Sequence, residues 1–374
     1  MSGQAPVGTP GPSLAALLRD QRVLVLCGAG GVGKTTTSAA LALAAADAGR
    51  RVLVLTIDPA RRLAQALGIP PGAARPSPVP RDRLDAAGVS SRGSLDAWML
   101  DPRVVFENLI RRLATPETAK AILATSLYHH LTELIAGMQE YTAAEALFEL
   151  SQSGAYDLII LDTPPSRNAL DFLDAPGRLS RFLDDGIVQL FLPKEGGGIL
   201  RRAGRLLGSV FLRVFGEQFV AELQVFLGAF SGLFASLRAH TEGVHALLSS
   251  ERSSFLLVTS PETSALDEAL FFRDQILSRK LPFAGFVLNR SLALVAGLPG
   301  PGAVPEAELA AGSRQKLDEL VAREREQAAL DAALLERLRA LAGTGRLALA
   351  AEHLGDSVED LPGLLALARG LLRD

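Results

Sequence analysis

The sequence predicts an α/β fold, a doubly wound and mainly parallel sheet. Continuous apolar runs rich in β-branched residues recur along the chain, as in strands that are buried on both faces. Segments with helical periodicity alternate with these runs, which is typical of a sheet that carries helices on both faces. The predicted strands lie at 22–27, 51–57, 156–161, 254–259 and 283–288, with weaker signals at 95–100 and 346–350. The predicted helices lie at 35–48, 261–280, 306–341 and 358–372.

Two long stretches interrupt this alternation. Residues 102–151 and 173–250 show helical periodicity without a buried-strand run, so they predict a helical subdomain inserted into the sheet on either side of the strand at 156–161. Five prolines between Pro70 and Pro80 predict a surface loop. Residues 1–20 are expected to form a flexible N-terminal segment, so the folded domain is expected to span 21–374.

Charge and composition exclude several classes of protein. The 374 residues include 38 basic and 41 acidic side chains, a net charge of −3, so no global field attracts nucleic acid and we expect no such partner. Cys27 is the one cysteine, and the five histidines do not join it in any spacing known for zinc. The longest strongly apolar stretch, 223–237, is shorter than the roughly 18–20 residues of a membrane-spanning helix. We therefore expect a soluble, cytoplasmic protein without a transmembrane segment.

The strongest motif follows the first predicted strand. Residues 28–35 read GAGGVGKT and fit the P-loop pattern G-x-x-x-x-G-K-[ST] between a strand and a helix. In this motif, backbone N–H groups and the helix N-terminus surround the phosphates of a nucleotide. Lys34 is expected to reach the β- and γ-phosphates as a catalytic residue, and the Thr35 hydroxyl is expected to bind Mg²⁺. The predicted nucleotide-binding residues of this segment are Gly28, Gly30, Gly31, Val32, Gly33, Lys34, Thr35 and Thr36.

Two aspartates follow predicted strands at the edge of the sheet where the P-loop lies. Asp162 follows the run at 156–161, where a carboxylate can hold the Mg²⁺ shell. Asp58 ends the strand at 51–57. We expect Asp162 to support the metal and Asp58 to position the attacking water.

Three runs in a fixed order carry a resemblance to a known family. They are CGAGGVGKTTT at 27–37, LTIDPARRLAQALG at 55–68 and LIILDTPPSRNALDFL at 158–173. Together they resemble the anion-transporting (ArsA-like) ATPases, the group that includes arsenite-pump ATPases and the targeting factor for tail-anchored membrane proteins. The resemblance runs from about residue 23 to the C-terminus and implies a P-loop ATPase that uses ATP and Mg²⁺.

The resemblance also implies roles for particular residues. Asp58-Pro59-Ala60 would form switch I, with Asp58 as the water-positioning residue, and the segment 162–165 would form switch II. Asn289, at the end of the strand at 283–288, matches the family's adenine-contacting asparagine. Family members are commonly ATP-dependent dimers, so we expect a homodimer or a heterodimer with a related ATPase.

Four departures from the family pattern narrow these expectations. The second P-loop lysine of the family, which reaches across the dimer, is replaced here by Ala29. Neither the pump's metalloid-binding cysteines nor the targeting factor's CxxC zinc clasp has a counterpart, so arsenite transport and a zinc-clasped dimer lose support. The family's switch I histidine is Arg61 here. A basic side chain could supply the missing charge as an arginine finger or remain a solvated surface group, and the candidates are Arg61, Arg62 and Arg167.

A set of phenylalanines leaves the biological role open. They fall on one face if their segment is a continuous helix, and they are Phe211, Phe215, Phe219, Phe226, Phe230 and Phe234. Packing within the helical subdomain is one interpretation of this face, and a groove for a hydrophobic polypeptide client is the other. The leading hypothesis is a dimeric Mg²⁺-dependent ATPase that couples nucleotide state to the helical subdomain. The alternatives are the soluble ATPase subunit of a membrane anion pump and a positioning-type ATPase.

Overall fold

The computed structural model describes residues 13–56, 62–70, 73–90, 92–125, 138–163, 216, 222–223, 242–295, 313–352 and 360–373. Its strands are β1 (Val23–Cys27), β2 (Arg51–Thr56), β3 (Ser77–Pro78), β4 (Ser94–Met99), β5 (Leu158–Asp162), β6 (Ser253–Thr259), β7 (Phe283–Ser291) and β8 (Leu347–Glu352). Its helices are α1 (Leu14–Asp20), α2 (Lys34–Asp47), α3 (Arg62–Leu67), α4 (Arg81–Ala86), α5 (Pro102–Leu113), α6 (Pro116–Leu123), α7 (Met138–Gln152), α8 (Thr263–Ser278), α9 (Ser313–Ala342) and α10 (Leu361–Leu371).

The strands form one sheet in the order β3-β4-β2-β5-β1-β6-β7-β8. β3 is antiparallel to β4, and the other neighbouring pairs are parallel. From β1 the chain builds one half of the sheet through β2 and β4, and after β5 it builds the other half through β6, β7 and β8. This order is that of a doubly wound sheet whose topological switch point lies beside β1, where such sheets bind ligands. The predicted α/β fold class is confirmed.

The centre of the sheet is buried and closely packed. All of β1 is fully buried, as its uninterrupted apolar sequence predicts. The alanine-rich helix α2 packs against α10 and the sheet, and its small side chains allow a close approach. A Cβ atom at Gly93, just before β4, would lie 1.9 Å from the carbonyl oxygen of Ala46. This packing holds the C-terminal end of α2 close to the start of β4, and the N-terminus of α2 follows β1 at the carboxyl edge of the sheet.

The chain divides into two compact units. The first comprises residues 1–99, 153–167 and 248–374 and contains the sheet. The second comprises 100–152 and 168–247, and its described part is helical. Within it, Arg112 on α5 forms ion pairs of 2.6 Å with Glu145 and 2.7 Å with Glu149, both on α7. The inserted helical subdomain that the sequence predicts for 102–151 and 173–250 stays a prediction.

The N-terminal segment differs from expectation where the structure describes it. Flexibility over 1–20 is a wrong prediction for 14–20, which form α1. Ser13 caps this helix by accepting a hydrogen bond from the Ala16 N–H. Leu14 and Leu18, one turn apart, are 2 % and 4 % exposed and join the core. The burial of these two leucines anchors the helix.

Other differences are smaller. The proline-rich segment contains the two-residue strand β3, which no apolar run predicts, and the weak signal at 95–100 corresponds to β4. Among the helices of the described ranges, none combines the length and apolarity required to cross a membrane.

Candidate functional site: a P-loop at the carboxyl edge of the sheet

The loop between β1 and α2 has the conformation that its glycines allow. Gly33 caps α2 with a φ of +91°, which disfavours residues that have a side chain. A Cβ atom at Gly28 would lie 2.1 Å from the carbonyl oxygen of Val258, so β6 closes one side of the loop. The loop leads directly into the 14-residue helix α2, and the N–H groups and partial positive charge of a helix N-terminus favour an anion.

Lys34 is the first residue of α2 and bends back over the loop. Its side chain is 6 % exposed. The Nζ atom donates hydrogen bonds of 2.9 Å to the carbonyl oxygen of Gly28 and 2.8 Å to that of Ala29. The ammonium group is therefore held above the loop by neutral carbonyl oxygens, which phosphate oxygens can replace with a stronger charge-assisted contact.

Asp162 lies at this edge on β5, the strand between β1 and β2. It is the last residue of β5 and is fully buried. Its Oδ2 atom accepts a 2.6 Å hydrogen bond from the Thr35 hydroxyl and a 3.1 Å hydrogen bond from the Thr56 hydroxyl. The parallel register causes this meeting, because Asp162 lies opposite Leu26 of β1 on one side and Thr56 of β2 on the other.

The donor set at Asp162 fits a magnesium ion. Carboxylate and hydroxyl oxygens are the hard ligands that Mg²⁺ prefers, and Mg²⁺ usually binds through one or two such groups together with substrate phosphates. The hydroxyl of Thr35 and the carboxylate of Asp162, the two predicted metal-binding groups, are in direct contact. Thr56 is a third member of this cluster that no motif indicated.

The residue after Asp162 is also fixed to β1. The Thr163 hydroxyl donates a 2.7 Å hydrogen bond to the carbonyl oxygen of Leu26, and its backbone N–H donates to the same oxygen at 3.3 Å. Thr163 is 1 % exposed. Neighbouring Cys27 is fully buried, and this burial raises the pKa of its thiol to about 12. The start of the predicted switch II is thus attached to the strand that precedes the P-loop.

Asn289 approaches the P-loop from β7. Its side chain is 6 % exposed, and its Nδ2 atom donates a 2.8 Å hydrogen bond to the carbonyl oxygen of Val32. A Cβ atom at Gly33 would lie 2.1 Å from that Nδ2 atom. The structure therefore brings Asn289 together with Val32 and Gly33, and its contact with adenine stays a prediction.

Some predicted residues lie outside the described part of the chain, so their roles stay predictions. They are Asp58, Arg61, Arg167 and the phenylalanines between 211 and 234. The backbone of Arg62 begins α3, but its side chain lies outside the description as well. β2 ends at Thr56, two residues before Asp58, so the strand that leads to the predicted catalytic aspartate is tied to Asp162.

Comparison with known proteins gives a consistent result. A family model described as anion-transporting ATPase matches residues 21–294. The chain is 29 % identical over 295 residues to ATPase GET3 of Podospora anserina, an alignment that covers 78 % of each protein. It is 24 % identical over 298 residues to ATPase BagA of Mycobacterium tuberculosis, which covers 78 % of this chain and 70 % of that protein. A putative arsenical pump-driving ATPase of Halobacterium salinarum is 30 % identical over 185 residues, 48 % of this chain and 28 % of that protein. These matches confirm the resemblance that the three sequence runs carry.

Proposed function

Because the chain belongs to the anion-transporting ATPase family and is therefore an ATPase, we propose that it binds Mg·ATP at the P-loop and hydrolyses it with Asp58. The observation that supports this proposal most strongly is the 2.6 Å hydrogen bond from Thr35 to Asp162. It joins the end of the P-loop to the end of β5, and both oxygens suit Mg²⁺.

Each group of the site then has a distinct role. The loop amides and the N-terminus of α2 bind the phosphates, while Lys34 exchanges its two carbonyl acceptors for β- and γ-phosphate oxygens. Thr35 and Asp162 would hold Mg²⁺, which would supply positive charge to the phosphoryl oxygens. Asp58 orients the attacking water, and Asn289 contacts the adenine.

The first test is the affinity for nucleotide. Lys34→Ala removes a charge-assisted contact worth roughly 1.5–3 kcal/mol, so the Kd for Mg·ATP should rise at least tenfold. The matched control is Lys316→Ala, which removes an exposed lysine from α9. Titration calorimetry that gives equal affinities for the wild type and Lys34→Ala would contradict binding at the P-loop.

The second test separates hydrolysis from binding. If Asp58 orients water, Asp58→Asn should keep the Kd for ATP within a few-fold and lower kcat by about 100-fold. Binding is measured with a non-hydrolysable analogue and turnover by phosphate release. A variant that hydrolyses ATP at the wild-type rate would remove Asp58 from the mechanism.

We further propose that two ATPase subunits associate when nucleotide is bound and that the helical second unit handles a hydrophobic polypeptide. The similarity to ATPase GET3 over 78 % of both chains supports this role. We also propose the cytoplasmic location that the sequence predicts, because ATP, the expected substrate, is abundant there. Light scattering should show the mass doubling on addition of a non-hydrolysable ATP analogue. A mass that stays that of one subunit at all protein concentrations would argue against nucleotide-driven dimerisation.

An arsenical pump ATPase is the second candidate, because one relative carries that name. Arsenicals are soft ligands that bind thiolates. The one cysteine, Cys27, is fully buried in β1, and the pKa of about 12 keeps its thiol protonated near neutral pH. This chemistry favours a client other than a metalloid.

A further inference from the structure

The contact between β7 and the P-loop joins residues that are 257 positions apart. Asn289 donates from Nδ2 to the carbonyl oxygen of Val32 at 2.8 Å, in a place where both residues are nearly inaccessible to water, with 6 % and 2 % exposed. A buried carbonyl that loses its donor costs more than the hydrogen bond itself contributes. The bond therefore holds the loop in one conformation.

The direction of that bond matters for phosphate binding. The C=O of Val32 and the N–H of Gly33 belong to the same planar trans peptide, in which the two groups point in opposite directions. Fixing the Val32 carbonyl toward Asn289 therefore fixes the Gly33 N–H away from Asn289. Gly33 is the N-cap of α2, and its N–H is one of the amides expected to meet a phosphate oxygen.

The segment that carries Asn289 is itself held firmly. Arg290 has a φ of +57°, a conformation that is costly for a residue other than glycine. Asp331 of α9 is 2 % exposed and accepts hydrogen bonds from the Leu292 N–H at 2.8 Å and the Ser291 hydroxyl at 3.3 Å. The end of β7 is thus anchored to a long helix, which restricts where the Asn289 amide can lie.

We propose that Asn289 is a positioning residue for phosphate binding, which it serves by holding the Val32 carbonyl and so aligning the P-loop amides. This inference rests on the proposed function and adds to it, because Asn289 then supports both the predicted contact with the base and the binding of the phosphates. A residue that touched only the base would contribute nothing to a ligand without a base.

The test uses Mg·tripolyphosphate, which has the phosphate chain of ATP and no nucleoside. Asn289→Ala should let the loop leave its binding conformation, and the apparent Kd rises as the inverse of the fraction of protein that keeps that conformation. We expect the Kd values for Mg·tripolyphosphate and for Mg·ATP to rise together by about tenfold in the full-length protein, measured by calorimetry. Asn289→Asp, which has the same size but presents a carboxylate to the Val32 carbonyl, should weaken tripolyphosphate at least as much.

Tyr156→Phe is the matched control. It removes a 2.7 Å side-chain hydrogen bond to Asp96 near the opposite edge of the sheet, so it should lower stability without changing the affinity for tripolyphosphate. If Asn289→Ala does not fold, Asn289→Asp alone decides the question.

The outcomes separate this inference from the proposed function. Weaker ATP binding with unchanged tripolyphosphate binding in both Asn289 variants would overturn the inference and leave the proposed function intact. Wild-type protein that binds Mg·ATP but not Mg·tripolyphosphate would also overturn it, because the loop would then have no phosphate affinity of its own for Asn289 to support. Wild-type protein that binds neither ligand would remove the proposed function itself.

Discussion

The two ends of strand β5 carry aspartates in opposite surroundings. Asp157, just before the strand, is 38 % exposed, forms a 2.7 Å ion pair with Arg51 and accepts a hydrogen bond from the Arg51 N–H. Asp162, the last residue of the strand, is fully buried and accepts hydrogen bonds from the hydroxyls of Thr35 and Thr56. The first carboxylate is held by a guanidinium near the surface, and the second accepts hydrogen bonds from two hydroxyl groups in the interior.

This difference is the one expected between a structural carboxylate and the proposed metal-binding one. A guanidinium both orients a carboxylate and cancels its charge, whereas a hydroxyl orients it and leaves the charge in place. Hydroxyl and carboxylate oxygens are the hard ligands that Mg²⁺ prefers, and the Thr35 hydroxyl contacts the Asp162 carboxylate directly. The buried end of β5 is therefore suited to Mg²⁺ and the exposed end to holding neighbouring strands together.

The largest expected effect comes from removing the buried charge. Asp162→Asn should raise the Mg²⁺ concentration for half-maximal hydrolysis at least tenfold and lower kcat by about 100-fold, because the amide no longer attracts the cation. Asp157→Asn makes the same chemical change at the other end of the strand and should leave both quantities unchanged. Steady-state hydrolysis across a Mg²⁺ titration measures both variants, and equal defects would erase the distinction between the two aspartates.

Much of the site could be predicted from the sequence because its motifs are local. The run at 28–35 predicts a loop between a strand and a helix, and Asp162 follows a short apolar run of the kind that predicts a buried strand. The hydrogen bonds of Thr56 and Thr163 and the Asn289–Val32 contact were not predicted. Their hydrogen bonds join residues 106, 137 and 257 positions apart, and they depend on β5 lying between β1 and β2 and on β7 lying two strands from β1. Apolar runs identify buried strands but do not reveal their order in the sheet.

Short elements were missed for a different reason. β3 has two residues and includes a proline, so it has no apolar run to detect. α1 has seven residues, and it is the burial of its leucines against the core, rather than intrinsic helix propensity, that stabilises it. Elements of this kind are set by tertiary contacts.

A smaller effect is expected at Thr56, which links Asp162 to the strand before Asp58. Thr56→Val keeps the branched shape and removes the hydroxyl, so Asp162 keeps the Thr35 contact and loses the longer one. The Mg²⁺ concentration for half-maximal hydrolysis should rise about fivefold, or about 1 kcal/mol. Thr56→Ser restores the hydroxyl and should restore the wild-type value. Wild-type Mg²⁺ dependence in Thr56→Val would mean that the hydroxyl serves only the packing of β2.

The smallest effect is expected in the stability contributed by the exposed end of β5. The hydrogen bonds from Arg51 hold the pKa of Asp157 below its ordinary value of 3.8, so the ionised carboxylate favours the folded state. Because the folded pKa is the lower one, this stabilisation is complete above pH 3.8 and is lost as the pH falls through the folded pKa. Asp157 and Arg51 are 38 % and 52 % exposed, and solvent screening therefore limits the contribution to less than about 1 kcal/mol.

Asp157→Asn should accordingly lower the free energy of unfolding by about 0.5 kcal/mol at pH 7 and 5, and the difference from wild type should shrink below pH 4. Denaturant titrations of both proteins at each pH measure this difference, and the other acidic groups cancel because both proteins carry them. About 1 M salt should reduce the difference at pH 7, since the pair is exposed. A difference that persists undiminished at pH 3 would show that the Arg51 contact acts through hydrogen-bond geometry and not through charge, and the two ends of β5 would then differ less than their partners indicate.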